Sequence, residues 1–283
     1  MSALLLIDFN NTVIRSLSVN KYLSYDGMYT GGIYGMLMQL TSILNKHHID
    51  AVLNCTDAKP YLREKLYPGF KGDRKKKTYN EEDDFDFYEA LTQSTSATMD
   101  FFKLLGIPTW KIPGLEADDL IAKAANHYIS DFDKIIILSN DTDLNQMLRH
   151  STVYIYKKRK GARSPELYGE KEFKEDFDIE PEQWVWYTAM VGTHNGVPGI
   201  KGTGPKTAHK LLHDEEKWTE YAAYHEDALS EKAALIQLPF PEYEGNMRVM
   251  SPGIINSNTR TIALFLSQYG IEFTGYMRDA FEG

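Results

Sequence analysis

The sequence predicts an α/β protein, with a mostly parallel central sheet flanked by helices and a helical module behind it. Three observations predict this. Ala3 to Ile7, Ala51 to Cys55 and Ile135 to Leu138 are short runs rich in Leu, Ile and Val, the signature of strands buried on both faces. Helical signals alternate with these runs through the first half, the pattern of a layered α/β sheet. From Pro181 onward the signals are helical, so a boundary is expected near 180, between a core over 1–180 and a module over 181–283.

Taken in order, strand 3–7 leads to a helix around Tyr34 to Lys46 and then to strand 51–56. Helices follow around Met99 to Leu105 and Ala117 to Ser130, the second opening on acids that suit the positive end of its dipole. Strand 135–139, a helix from Asp143 to Leu148 and strand Val153 to Tyr156 complete the core. Between Phe70 and Thr98 the periodicity fails, and a basic block followed by Glu81 to Asp86 reads as a surface linker or a flap over a site. Helices are then expected at Trp184 to Val191, Pro205 to His213 and Tyr221 to Ile236, with Pro239 and Pro241 ending the last.

A chain of 283 residues can bury a full core, and 42% hydrophobic with 25% charged residues describes an ordinary globular protein. Its one cysteine, Cys55, excludes an internal disulfide and a cysteine-rich zinc site. No apolar run approaches the ~20 residues of a membrane span and no basic leader opens the chain. The expectation is a protein of a reducing cytoplasm, neither secreted nor embedded. The net charge of -9 is uneven, because Lys71 to Lys77 and Lys157 to Arg163 each carry five bases. Such runs are either solvated loops or phosphate contacts.

Seven carboxylates fall in four short clusters: Asp8, Asp57, Glu116 with Asp118 and Asp119, and Asp141 with Asp143. Asp8, Asp57 and Asp141 each come shortly after an apolar run, where the crevice of a parallel sheet forms, so distant segments can meet. So many negative charges in one crevice repel one another unless cations neutralise them. Hard oxygen donors favour magnesium or manganese over zinc, and the eight histidines are read as forming no HExxH or similar spacing. Two magnesium ions roughly 4 Å apart bind the attacking water and the leaving oxygen of a phosphodiester, so phosphate-ester hydrolysis is the leading reaction class.

Gly199-Ile200-Lys201-Gly202-Thr203-Gly204-Pro205-Lys206-Thr207 lies between two helices rather than after a strand, which excludes a dinucleotide fingerprint. A hairpin there opens a helix whose free amides, with Lys206 and Thr207, form a nest for one backbone phosphate. That is the helix-hairpin-helix solution to sequence-independent DNA binding.

Together these blocks resemble the 5′ nuclease family of flap endonucleases, 5′ nuclease domains of bacterial DNA polymerases and free-standing bacteriophage relatives, the last most closely. Leu5 to Asn10 is similar to the family's opening strand and first metal-binding Asp. Asp57 with Arg63 to Arg74 is similar to FD...R..L.P.YK..R, Gly114 to Asp119 matches GxEADD, and Leu138 to Leu148 matches SxDxDLxQLL. The resemblance runs in family order over about residues 3–213. It implies a PIN-like core, a helical arch over about 71–100, and a helix-hairpin-helix (helix-three-turn-helix) module. It also implies a first metal site from Asp8, Asp57, Glu116 and Asp118, a second supported by Asp119, Asp141 and Asp143, and catalytic Lys71 and Arg74 at the arch base. Arg63, Phe70, Gly199, Lys201, Gly202, Gly204, Lys206 and Thr207 would bind DNA, Phe70 either stacking on a terminal base or packing in the core. Magnesium would fill both sites, manganese could substitute, and potassium could sit at the hairpin. The implied activity is 5′-3′ exonuclease and flap endonuclease action near single-strand to double-strand junctions of branched or 5′-ended DNA, including RNA-DNA primer junctions, in phage replication or primer removal.

One departure stands out. The family's GDxxDN is here Gly192-Thr193-His194-Asn195-Gly196, so neutral oxygens replace two acids and a weaker second metal site is expected. The competing readings are a DNA-structure-binding protein with weak catalysis and a ribonuclease H-like 5′ nuclease on RNA-DNA hybrids.

Overall fold

The computed structural model describes residues 1–68, 70, 85–193, 196–256 and 258–282. Among them, six strands form the main sheet in the order β5-β4-β1-β6-β7-β8. These are β1 (Ala3–Asp8), β4 (Ala51–Cys55), β5 (Thr109–Trp110), β6 (Lys134–Leu138), β7 (Val153–Lys157) and β8 (Glu166–Tyr168), with β2 (Ser24–Tyr25) and β3 (Met28–Tyr29) in a separate hairpin. All pairings in the main sheet are parallel except that of β8 with β7. β1 is central, and its six residues are buried on both faces, which is why its sequence shows no alternation.

The two faces of β1 divide the core. Leu4 and Leu6 pack under α5 (Ala117–Tyr128), whereas Leu5 and Ile7 pack under α1 (Phe9–Val19), α2 (Gly31–Leu44) and α4 (Phe87–Leu104). α1 starts at once after β1 because the Asp8 side chain caps it, accepting the Asn11 N–H at 3.2 Å. α2 begins three residues before the expected Tyr34, and a Cβ on Gly32 would lie 2.3 Å from the Ser94 Cβ of α4. Close helix contact, not propensity, accounts for that glycine.

Three expectations are corrected. Helix α4 runs from Phe87, capped by Asp86 accepting the Tyr88 and Glu89 N–H groups at 2.9 Å, so the patternless stretch does not extend to Thr98. Residues 87–100 of the expected arch are thus helical, with Ala90, Ser94, Ala97 and Thr98 buried. The helix expected over Tyr221 to Ile236 is two, α9 (Glu215–Tyr224) and α10 (Glu226–Ile236), separated at His225. Finally, α11 (Thr259–Ser267) and α12 (Gly275–Glu282) bury Ile262, Leu266, Met277 and Phe281 in the same core as Leu5 and Ile7. The stretch expected as one module over 181–283 therefore returns to the sheet after α10.

The separate helical core is formed by α7 (Trp184–Val191), α8 (Pro205–Leu212), α9 and α10, with Ala189, Met190, Ala208, Leu229 and Ile236 at its centre. No helix of the described residues is long and apolar enough to cross a membrane.

Candidate active site

Strand register brings the first acids together. Asp8 ends β1 opposite Cys55 at the end of β4, while Ile7 lies opposite Leu138 at the end of β6. Asp57 and Asp141 follow those neighbouring strands by two and three residues. Asp8 is 3% exposed, its Oδ2 accepting from Ser139 Oγ at 2.7 Å. Burial first, then the charges of Asp57 and Asp141, push its pKa up to about 7, with the hydrogen bonds of Ser139 and Asn11 opposing. The buried Cys55 thiol is pushed up by burial and then by the charges of Asp8 and Asp118. Three carboxylates from separate strand ends and a fourth, Asp118, from the first turn of α5 therefore share one electrostatic site.

Asp57 is held from both sides: its Oδ1 accepts the Ala117 N–H at 2.8 Å and its Oδ2 the Tyr61 hydroxyl at 2.7 Å. Its own N–H donates to Asn10 Oδ1 at 3.0 Å, which also accepts from Thr56 Oγ1 at 2.8 Å. Asp141 Oδ1 accepts the Asp143 N–H at 3.0 Å and so opens the 3-10 helix Asp143–Arg149. Glu116 is the buried N-cap of α5. Each oxygen accepting one hydrogen bond retains a second lone pair. Half-buried and buried carboxylates at strand ends and at the start of α5, with the repulsion seen at Asp8, fit a hard divalent cation, and Asp8, Asp57, Glu116, Asp118, Asp141 and Asp143 are the residues that could hold it.

Asp119 does not belong to that set. It is fully buried, and Arg63 grips it with two bonds, Nη1 to Oδ2 at 2.7 Å and Nη2 to Oδ1 at 2.8 Å. The Phe240 N–H adds a bond to Oδ1 at 2.8 Å and the Glu116 N–H one to Oδ2 at 3.1 Å. With two donors on each oxygen, Asp119 is saturated. Arg63 in turn is 3% exposed, donates to the Leu235 and Gln237 carbonyls at 2.9 and 3.0 Å, and lies 4.6 Å from the Phe240 ring centre. It ties α3 (Arg63–Leu66) to α5 and to the end of α10, and it is not exposed to DNA. Phe70, 5% exposed, packs with Tyr61, Met190 and Ile236, so core packing is the outcome there. Lys71, Arg74 and the rest of the basic block over 71–77 lie outside the described residues, as do His194 and Asn195.

The second basic run is partly spent inside the fold. Lys157 Nζ sits 3.6 Å over the Tyr168 ring and 3.2 Å from Asn145 Oδ1, while Arg159 pairs with Asp176 at 2.5 Å and Glu175 at 3.2 Å. Lys158, Lys160 and Arg163 remain exposed.

The hairpin is different. Lys201, Gly202, Gly204, Lys206 and Thr207 are all exposed, and Gly202 has φ +89°. Gly204 caps α8, with Pro205 at the first helical position. Ile200 N–H donates to the Met190 carbonyl at 2.8 Å, and a Cβ on Gly199 would lie 2.5 Å from that oxygen, so the hairpin is pressed onto α7. Thr203 Oγ1 bonds the Tyr221 hydroxyl at 2.6 Å. Before it, Gly192 and Pro198 bridge, and Thr193 Oγ1 is buried without a hydrogen-bond partner.

Sequence reasoning missed Asn10, Tyr61 and Ser139, which orient Asp57 and Asp8. Ser139 and Asn10 had one signal, their place directly beyond buried strands; Tyr61 had none.

These features define a class, an α/β scaffold with a carboxylate centre at the strand ends and an exposed glycine- and lysine-bearing hairpin on adjoining helices. Residues 3–178 match the family described as 5′-3′ exonuclease, N-terminal resolvase-like domain, and the chain belongs to that family. The 5′-3′ exonuclease of Aquifex aeolicus is 32% identical over 215 residues, covering 75% of this chain and 69% of that one. The thermostable DNA polymerase I of Thermus aquaticus is 31% identical over 217 residues, covering 76% of this chain but 24% of the polymerase. Among solved structures, zinc-bound T5 5′-exonuclease superposes with a TM-score of 0.68 at 19% identity, covering 84% of this chain and 90% of that one. Flap endonuclease-1 from Methanococcus jannaschii gives 0.60 at 16% identity, covering 99% and 90%. These two share the fold.

Proposed function

We propose that this protein is a divalent-metal-dependent 5′ nuclease that hydrolyses DNA phosphodiesters near single-strand to double-strand junctions, as a 5′-3′ exonuclease and flap endonuclease. The observation that carries the reading is the gathering of Asp8, Asp57 and Asp141 at the ends of three adjacent parallel strands, with Asp118 approaching from the first turn of α5 and Asp8 pushed up to about 7 by burial and by its acidic neighbours. Family membership and the 32% identity to a 5′-3′ exonuclease support it.

When bound, magnesium or manganese would supply charge neutralisation and an acidified water to the phosphoryl centre. The chain's own residues supply placement. Ser139 and the Asn11 N–H fix the Asp8 carboxylate, Tyr61 and the Ala117 N–H fix Asp57, and the Asp143 N–H fixes Asp141. The exposed residues Lys201, Gly202, Gly204, Lys206 and Thr207 hold a duplex phosphate without reading bases, with potassium as a candidate ion at the hairpin. Lys71 and Arg74 are proposed, from the resemblance alone, to contact the scissile phosphate. Neutral Thr193 in place of an acid leaves the second metal site the weaker of two.

The test is cleavage of a labelled 5′-flap DNA with magnesium, with chelator, and with Asp118→Asn. Junction-proximal cleavage that needs both metal and Asp118 is expected. Tight flap binding without cleavage, even in manganese, would turn the assignment to a DNA-structure-binding protein.

A further inference from the structure

A second cluster of metal-binding side chains lies away from the carboxylate centre. His209 and His213 occupy successive turns at the C-terminal end of α8, four residues apart on one face, with ring centres 4.2 Å apart. Both Nε2 atoms face the same oxygen, Oδ2 of Asp178, at 3.1 and 3.8 Å. Asp178 terminates α6 (Glu170–Phe177) in a left-handed conformation with φ +50°. One ligand atom from each of the three residues lies within 4.8 Å of the others. The histidine spacing that the sequence reading excluded is therefore present, in the form H-x-x-x-H.

The chemistry of the rings favours a cation over a simple ion pair. His213 Nδ1 lies 2.9 Å from the His209 carbonyl oxygen, which can only accept, so Nδ1 carries a proton and in the neutral ring it is Nε2 that presents its lone pair. Fixing one ring nitrogen against a backbone carbonyl is the usual support of a metal-binding imidazole. Ligands at about 2.0–2.1 Å in a tetrahedral shell sit about 3.3–3.4 Å apart, a value the two observed separations bracket. A cavity of about 310 Å³ opens beside Asp178, Glu180, Gln183 and His213, leaving room for water as the fourth ligand. Two imidazoles with one carboxylate select a zinc-class ion over magnesium.

We propose that Asp178, His209 and His213 form a second, zinc-class metal site that clamps the end of α8 to the end of α6. The clamp joins the helix that begins at the DNA-binding hairpin to the rim of the α/β core, and it complements the bond from Gln183 Nε2 to the Leu212 carbonyl at 2.9 Å.

The experiment is equilibrium dialysis of the full chain against zinc in a large excess of magnesium, which occupies the carboxylate centre. Wild type is compared with His209→Gln/His213→Gln and with Asp178→Asn, folding being checked by thermal melts in chelator. The expected result is one more zinc per chain in wild type than in the histidine variant. A zinc affinity at least about tenfold weaker is expected in Asp178→Asn, because losing a direct ligand costs no less than losing an outer partner that orients one. A cobalt-loaded wild type should also show visible bands that the histidine variant lacks. Equal zinc content in wild type and the folded histidine variant, or none retained by either, overturns the site. The readout does not use nuclease activity, so it stands apart from the functional assignment.

Discussion

Replacing Arg63 or Asp119 separates a ligand from a structural anchor. The pair is buried at 3% and 0% exposure, and Arg63 makes five hydrogen bonds, two to Asp119, one to Glu116 at 3.3 Å and two to carbonyls. Removing one member of such a pair strands the other charge, at a cost of about 3–5 kcal/mol. For a chain of this length that lowers Tm by about 6–10 °C. Asp119→Asn and Arg63→Met should each show this loss in thermal and urea denaturation. The double variant Arg63→Met/Asp119→Leu should recover part of it, because the Asp119 charge is removed together with its partner; recovery is incomplete because buried Glu116 loses its ion pair with Arg63. The metal response, read as the Tm increase on adding magnesium, should survive in Asp119→Asn at temperatures where the protein is folded. An Asp119→Asn protein with unchanged Tm and no magnesium response would refute the reasoning and return Asp119 to the metal site.

Other consequences can be measured on the same protein. Asp8→Asn removes one charge from a buried, mutually repelling group, so the metal-free protein should become more stable at pH 8, by up to about 4 kcal/mol, while magnesium stabilisation and flap cleavage are lost; a melt with and without chelator reads both. Burial lowers the Lys157 pKa to about 8 from 10.5, so between those values the unfolded chain binds more protons than the native one and stability rises with pH. The penalty is complete below about 8, and because the Tyr168 face offsets part of it, Lys157→Met should gain about 1–3 kcal/mol at pH 7 and lose that advantage by pH 10.5. Lys201→Ala and Lys206→Ala should each weaken duplex binding for all sequences alike and reduce the salt slope by about one, as measured by anisotropy titrations. Gly199→Ala places a methyl 2.5 Å from the Met190 carbonyl oxygen and should cost more stability than either lysine change.

The centre of this fold was legible because its determinants are local. β1, β4 and β6 are buried on both faces, so each writes a continuous apolar run, and the acids beyond them follow from where parallel sheets open their crevices. The hairpin was legible because glycine and proline mark backbone needs that few other residues meet. Helix α1 was missed for a related reason: its cap is Asp8 itself, and FNNTV reads as a loop until one knows that the strand ends on a capping residue. The start of α4 was hidden by the charged block before it.

What the sequence could not reveal is which acid faces which cation. Asp118 and Asp119 are neighbours in one helical turn with the same side chain, and no local pattern distinguishes them. The difference arises from Arg63, 56 residues earlier, which approaches from α3 and meets only Asp119, while the field of Asp118 reaches Cys55 at the sheet. Consecutive positions on a helix point about 100° apart. An Asp-Asp pair at the first turn therefore divides its work, one carboxylate toward the crevice and one toward the neighbouring element. The charge that anchors the helix is neutralised within the protein by Arg63, whereas the Asp118 charge is felt at the sheet end, at Cys55. The same logic applies to Lys157 and Arg159: part of a basic run was consumed by the fold, and only an opposing residue decides which part stays available to DNA.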